Sequence, residues 1–81
     1  MVQIRYGGGF EKNFKKLDSA IQAKVKKQII KIIENPELGK PMRFSRKGTR
    51  EVYIPPFRLS YIYIKEEDVI VLLDLYHKDK Q

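Results

Sequence analysis

Three side chains in the second half of the chain are of the types that chemistry on a phosphate requires: Arg58, His77 and Glu51. Cleavage of RNA without a metal needs a base that takes the proton of a 2′-hydroxyl, a cation that stabilises the phosphorane, and an acid that protonates the leaving 5′-oxygen. Arginine can clamp the non-bridging oxygens, and histidine can carry or release a proton near neutral pH. We therefore predict Arg58 as the cation, His77 as the acid and Glu51 as the candidate base.

Each of these assignments has a simpler alternative. A lone histidine near the end of a chain is often only an exposed side chain. Arg58 is equally compatible with a solvated strand position that pairs with Asp74 or Glu51. Which side of its strand Glu51 occupies is left open by the sequence.

A cluster of cations surrounds the candidate site. Residues 40–58 contain six basic residues and one acid, and four of the six are arginines, whose planar fork suits phosphate. The net charge of +7 indicates a polyanion or an acidic protein as partner. For the lysines of residues 10–34 we predict a solvated helix face. The residues predicted to bind RNA phosphates are Arg43, Arg46, Lys47, Arg50 and Lys78.

Several classes of site are not indicated. The chain has no cysteine and no cluster of Asp, Glu and His with metal-ligand spacing, so we expect neither a metal nor another cofactor. The glycines at positions 7–9 lack the residues that complete a phosphate-binding loop and are interpreted as a turn. No apolar run reaches the length of a membrane span, and we expect a soluble, cytoplasmic protein without a membrane partner.

The first half of the chain predicts one strand and two helices. Apolar and polar residues alternate over residues 2–6, which indicates a short strand. Helical spacing of apolar residues follows, and the second helix should start at Asp18-Ser19, with Gln22 completing a capping box. Asn35-Pro36 should end that helix near Glu34. The two helices should pack as an antiparallel hairpin.

The second half predicts antiparallel strands at residues 42–46, 50–54, 57–64 and 69–76, the last of them central in the sheet. We therefore predict an α+β fold formed by residues 1–81 as a single domain. A helical hairpin should cover one face of a three- to four-stranded, mainly antiparallel sheet, in the order β-α-α-β-β-β(-β). Because consecutive antiparallel strands bring the start of one beside the end of the next, Arg58 should lie near residues 76–78.

The segment Phe57-Arg58-Leu59-Ser60-Tyr61 resembles the arginine strand of the RelE/ParE toxin superfamily, whose pattern is Y/H-R-L/V-x-Y. The order of elements agrees with that family over nearly the whole chain. The resemblance implies the toxin of a bacterial or archaeal type II toxin–antitoxin pair. RelE-type members cut mRNA in the ribosomal A site, and a separate antitoxin chain wraps the toxin to silence it.

The resemblance also implies roles for individual residues. Arg58 matches the phosphate-binding arginine of the family, and His77 matches the general acid of the branch that resembles YoeB. Arg43 falls near a lysine in the basic loop of that branch. Where RelE has two active-site lysines, this chain has Glu51 and Tyr53. A tyrosine that RelE places in a C-terminal extension has no counterpart here.

The leading functional hypothesis is therefore an mRNA endonuclease that acts on the ribosome. The alternatives are a binding module resembling ParE, which inhibits DNA gyrase without cutting RNA, and a catalytically degenerate member that only binds an antitoxin. The expected partners are mRNA on the ribosome and an acidic or amphipathic antitoxin, bound by helix-in-groove contact or strand addition.

Overall fold

The computed structural model describes residues 2–42 and 48–80 and confirms the predicted α+β class. The elements along the chain are β1 (Gln3–Tyr6), α1 (Gly8–Lys15), α2 (Ser19–Glu34), β2 (Lys40–Pro41), β3 (Arg50–Ile54), β4 (Phe57–Ile64), β5 (Val69–His77) and a short 3-10 helix, Lys78–Lys80. The strand predicted at residues 42–46 falls almost entirely outside the described residues.

The strands form one five-stranded sheet in the order β1-β5-β4-β3-β2. Strands β3 to β5 pair antiparallel as predicted, and the short β2 pairs antiparallel with β3. Strand β1 pairs parallel with β5, so the sheet is mixed. The almost continuous apolar sequence of β5 fits its position between β1 and β4, where it is bonded on both edges.

Helix α2 starts and ends close to the predicted residues, but its cap differs from the prediction. Asp18 is the N-cap, and its Oδ1 accepts a hydrogen bond from the backbone N–H of Ile21 at 2.9 Å. The predicted capping box is wrong, because Gln22 Nε2 donates instead to the carbonyl of Phe14 at 3.0 Å and thereby ties α2 to α1. Neither helix of the described chain is long and apolar enough to cross a membrane.

The core lies between the helices and one face of the sheet, with α1 against β5 and α2 against β3. Apolar side chains from both layers are almost fully enclosed; they include Val25, Ile32, Leu59, Ile70, Leu72 and Leu75. Enclosure of aliphatic side chains of this size is the main stabilising contribution in a chain this small. The opposite face of the sheet is left uncovered by the helices, and it carries the candidate site.

Tyr61 is a fully buried core residue that anchors the loop between α2 and β2. Its hydroxyl donates to the carbonyl of Pro36 at 2.9 Å and accepts from the backbone N–H of Gly39 at 2.8 Å. Burial raises the pKa of this hydroxyl above its ordinary value of about 10. A Cβ atom on Gly39 would lie 2.8 Å from the Tyr61 hydroxyl, so glycine is needed at this close approach.

A β-bulge interrupts the pairing of β4 with β5. The register runs regularly to Tyr61 opposite Leu72, and resumes with Ser60 opposite Asp74, so that Leu73 has no residue opposite it. A bulge of this kind moves every later residue of one strand by one position relative to its neighbour.

Side chains hold the backbone at the bulge. Asp74 Oδ1 accepts the backbone N–H of Leu75 at 2.8 Å, and Asn13 Nδ2 donates to the carbonyl of Leu75 at 2.8 Å. Asn13 also donates to Asp74 Oδ1 at 3.1 Å. Because Asn13 belongs to α1, the helix fixes the position of the bulge. We call Asn13 and Asp74 the bulge clip.

Candidate active site

The register of three strands lines up a row of side chains on the uncovered face of the sheet. The two-residue turn at Pro55-Pro56 places Tyr53 opposite Arg58, and the pairing beyond the bulge places Arg58 opposite Tyr76. Residues that pair across neighbouring strands lie on the same face. The predicted proximity of Arg58 to residues 76–78 is therefore confirmed, and Tyr76 is the residue directly across from it.

Glu51 lies on this face but is only 5% exposed. The Tyr76 hydroxyl donates a hydrogen bond to Glu51 Oε2, and Arg58 Nη1 lies 3.5 Å from Glu51 Oε1. A buried carboxylate requires such partners, because its transfer out of water is otherwise strongly unfavourable. The three side chains form one connected polar group, which we call the arginine cluster. The side chain of Arg58 remains 38% exposed, and its Nε donates no hydrogen bond within the described residues.

Two cations approach the ring of Tyr53, Arg58 from the arginine cluster and Lys78 from the 3-10 helix. Arg58 Cζ lies 5.7 Å from the centroid of the ring, and Lys78 Nζ lies 5.9 Å from it, both within the range of cation–π attraction. Lys78 is placed there by its backbone N–H, which donates to the carbonyl of Pro56 at 3.0 Å. Two positive charges, an aromatic ring and a carboxylate therefore meet at one end of the sheet.

His77 projects from the opposite face of the sheet. It pairs with Phe57, and the two rings contact edge to face at a centroid distance of 5.6 Å. Its Nδ1 accepts the backbone N–H of Asp79 at 3.2 Å and lies 3.6 Å from Asp79 Oδ2. A cavity of about 360 Å³ borders His77 on the side of α1, where Lys16 also lines it. The structure therefore brings Arg58 and Glu51 together, but not Arg58 and His77.

The remaining residues predicted to bind phosphates are distributed differently. Arg50 lies opposite Tyr61 on the helix face, and its Nη1 donates to the carbonyls of Glu37 at 3.1 Å and Gly39 at 2.8 Å. It therefore holds the loop that precedes β2. Lys78 belongs to the uncovered face. Arg43, Arg46 and Lys47 lie outside the described residues.

Comparison with known proteins decides the family. The sequence model that describes the ParE toxin of type II toxin–antitoxin systems, parDE, matches residues 4–81. The chain belongs to the RelE/ParE toxin superfamily. The protein is thus a toxin of a type II toxin–antitoxin system, and the resemblance seen in the arginine strand is confirmed. No curated protein matches it significantly in sequence.

Solved structures of RelE/ParE toxins share the fold. The toxin is similar to a chain of the RelBE2 toxin–antitoxin complex from Mycobacterium tuberculosis, at 25% identity and a TM-score of 0.85, over 95% of this chain and 98% of that one. The intact RelBE complex of E. coli matches at 18% identity and a TM-score of 0.82, over 95% and 96% of the two chains. A YoeB/ParE toxin from Agrobacterium tumefaciens matches at 14% identity and 0.81, over 94% and 98%.

Two tyrosines of this toxin were not predicted as site residues. The position of Tyr53 follows from a signal in the sequence, because a two-residue turn at Pro55-Pro56 fixes the pair Tyr53 and Arg58. Tyr76 carries no such signal, since its place beside Arg58 depends on the bulge at Leu73. In the described part of the chain, no three Asp, Glu or His side chains are grouped as metal ligands.

Proposed function

We propose that this toxin is a ribosome-dependent endoribonuclease, which cleaves mRNA in the A site by attack of a 2′-hydroxyl on the adjacent phosphate. The observation that carries the proposal is the arginine cluster, in which an accessible arginine, a buried carboxylate and a tyrosine hydroxyl are directly linked. A protein that only binds a partner has no need of a coupled proton acceptor and phosphate-binding cation, whereas RNA cleavage uses both.

In this mechanism Arg58 stabilises the charge that develops on the non-bridging oxygens of the phosphate. Glu51 is the final acceptor of the 2′ proton. Since Glu51 is only 5% exposed, the proton reaches it through Tyr76, whose oxygen takes the 2′ proton while its own proton passes to the carboxylate. The 2′-oxygen then bonds to phosphorus, and the bond from phosphorus to the 5′-oxygen breaks.

His77 is the proposed acid that protonates the leaving 5′-oxygen. Because His77 and Arg58 project from opposite faces, the phosphate that both serve must lie where β4 starts and β5 ends, at the margin of the sheet. Only there can one phosphate be reached from both faces. The basic residues proposed to bind flanking phosphates are Lys78, Arg43, Arg46 and Lys47, whereas Arg50 is held on the helix face by the carbonyls of Glu37 and Gly39.

A separate antitoxin chain is the proposed regulatory partner. Similar chains occur in toxin–antitoxin complexes from E. coli and from Pyrococcus horikoshii. The net charge of +7 favours an acidic or amphipathic segment, as complementary charge speeds association and selects the partner. Acting on ribosomes, the toxin would work in the cytoplasm.

The test is cleavage of mRNA on programmed ribosomes by the wild type and by Arg58→Ala, with the ends of the fragments mapped. The wild type should cut within A-site codons and leave a 2′,3′-cyclic phosphate, and Arg58→Ala should lower the rate by about 100-fold or more. Arg5→Ala is the matched control, because Arg5 is an exposed arginine on β1, at the far edge of the sheet. Intact mRNA after incubation with folded wild-type toxin would refute the nuclease.

Inhibition of DNA gyrase is the second candidate function. It is favoured by one observation, namely that the matching family description is that of the ParE toxin. A gyrase inhibitor would block DNA supercoiling and leave mRNA intact, and no residue of the arginine cluster would need to transfer a proton. A degenerate member would do neither, and its expression without antitoxin would not arrest growth.

A further inference from the structure

Tyr53 presents an aromatic ring to solvent on the uncovered face of the sheet, near the end of β3. The residue is 48% exposed, although its strand neighbours Val52 and Ile54 are buried. Its hydroxyl makes no hydrogen bond to any described residue. The ring is thus neither part of the core nor hydrogen-bonded to a described residue, and the contacts described for it are those with the two cations over it.

The distances from the ring to the two cations are similar to the distance between the base and the phosphate of one nucleotide. Arg58 and Lys78 lie 5.7 and 5.9 Å from its centroid, and both are proposed to bind phosphate. In a nucleotide the base is joined to its phosphate through a single sugar, so a phosphate at these cations brings its base within reach of the ring. Aromatic rings set beside basic residues are the usual platforms on which bases of single-stranded nucleic acids stack.

A purely structural role does not account for this position. A cross-strand pair of Tyr53 with Arg58 contributes little when the ring is half exposed. A protein partner is less favoured than RNA, because the ring is flanked by two cations and is separated from the apolar surface of the helices by the sheet.

We propose that Tyr53 is a nucleobase-stacking platform, which binds the base of the mRNA nucleotide next to the phosphate held by Arg58. This inference rests on the proposed function and adds the subsite that positions the substrate. Stacking depends on the π-face that every base has, so Tyr53 contributes to cleavage at all codons. Removing the ring should lower the rate by roughly 10-fold, within the range measured for single base–aromatic contacts.

The experiment combines changes in the toxin with changes in the RNA. Tyr53→Leu, Tyr53→Phe and the wild type are compared on programmed ribosomes, with mRNAs that are intact or carry one abasic nucleotide at each A-site position. Tyr6→Leu is the control, because Tyr6 is 53% exposed on β1, across the sheet from β3. At one position, the abasic nucleotide should slow the wild type about as much as Tyr53→Leu does. Tyr53→Leu combined with that abasic nucleotide should lower the cleavage rate no more than either change alone. Tyr53→Phe and Tyr6→Leu should cleave intact mRNA at the wild-type rate.

Two results would overturn the platform. One is a Tyr53→Leu toxin that cuts intact mRNA at the wild-type rate. The other is a Tyr53→Leu toxin whose cleavage rate falls by the same factor on intact mRNA and on every abasic mRNA. That result would mean that the ring supports Arg58 and does not stack on a base. Circular dichroism and thermal unfolding of the variants establish that they are folded.

A binding measurement separates failure of this inference from failure of the proposed function. If the wild type does not cut, the nuclease is refuted, and the platform is judged by fluorescence anisotropy with a labelled hexaribonucleotide and its abasic counterparts. The inference predicts weaker binding of the intact strand by Tyr53→Leu, and equal binding of one abasic strand by both proteins. Equal affinity of both proteins for the intact strand would refute it.

Discussion

Glu51 shows how an acidic side chain is accommodated inside a strongly basic protein. Its carboxylate is enclosed, yet it has a tyrosine hydroxyl at one oxygen and an arginine at the other. Hydrogen bonds to an ionised group are stronger than those between neutral groups, and losing one leaves a high desolvation cost uncompensated. The same contacts that stabilise Glu51 also orient Arg58 and Tyr76 toward the uncovered face.

Tyr76→Phe should therefore destabilise the fold as well as slow the proposed reaction. The substitution removes one hydrogen bond to a buried carboxylate and should lower the free energy of unfolding by about 1–3 kcal/mol. Urea denaturation at neutral pH measures the change. Tyr63→Phe is the control, since the Tyr63 hydroxyl donates to the exposed Asp68 at 3.1 Å and its loss should cost under about 1 kcal/mol. Equal stabilities of the two variants would contradict this account of Glu51.

At the level of elements, the bulge clip connects α1 to β5, the strand that carries Tyr76. Asn13 on the helix donates a hydrogen bond to the carbonyl of Leu75, and Asp74 accepts one from the backbone N–H of the same residue. Both groups lie next to the unpaired Leu73, where the ladder of β4 and β5 is interrupted. The helix thus does more than cover the core, because it also sets the alignment of β5 against Arg58.

Asn13→Ala should loosen this alignment. It removes hydrogen bonds to the Leu75 carbonyl and to Asp74, so the free energy of unfolding should fall by about 1–2 kcal/mol. Amide hydrogen exchange should accelerate at Leu75 and its neighbours more than elsewhere in β5. Lys12→Ala changes an exposed residue on the same helix and should have neither effect. Uniform acceleration along the whole strand would instead indicate general destabilisation.

The elements differ in how far the sequence predicts them. Alternation of polar and apolar residues predicts β4, and the turn at Pro55-Pro56 fixes its pairing with β3, since both signals are local. The parallel pairing of β1 with β5 joins distant parts of the chain, and no local signal carries it. The cap of α2 was misjudged because Asp18 and Ser19 are both good N-caps, and only the contact of Gln22 with Phe14 separates them.

The same distinction applies to the site. The residue types needed for phosphate chemistry were visible in the sequence, and so was the proximity of Arg58 to the end of β5. The sequence did not predict which side chain of β5 faces Arg58, because that depends on the unpaired Leu73 and on the bulge clip, whose Asn13 belongs to α1.

Across the whole molecule, positive charge is spread over both layers, and only part of it adjoins the arginine cluster. Lys24 and Lys27 are exposed on α2, whereas Lys78 lies on the side of the sheet that the helices leave uncovered. Charges at a distance steer a polyanion, but only charges in contact with phosphates release counterions when it binds. The net charge of +7 therefore overstates the number of phosphate contacts.

The salt dependence of RNA binding should separate these two kinds of charge. Lys78→Gln should reduce the slope of log affinity against log salt by about 0.7, the value for one phosphate contact on a single strand. The double variant Lys24→Gln/Lys27→Gln removes more charge but should leave the slope unchanged. Fluorescence anisotropy with a labelled oligoribonucleotide over a series of salt concentrations gives both slopes. A larger change in the double variant would place the RNA on the helices.

The unpaired Leu73 has a consequence for how such toxins diverge. If Leu73 paired with Ser60 instead of forming the bulge, Arg58 would lie opposite Leu75, and His77 would turn to the face of Arg58. Loss of one codon between Leu73 and Tyr76, with the bulge kept, would bring His77 opposite Arg58, whereas loss of Leu73 itself would leave Tyr76 there. In descendants of one ancestral toxin, the position of a lost codon relative to the bulge therefore indicates whether Tyr76 or His77 is inherited as the neighbour of Arg58.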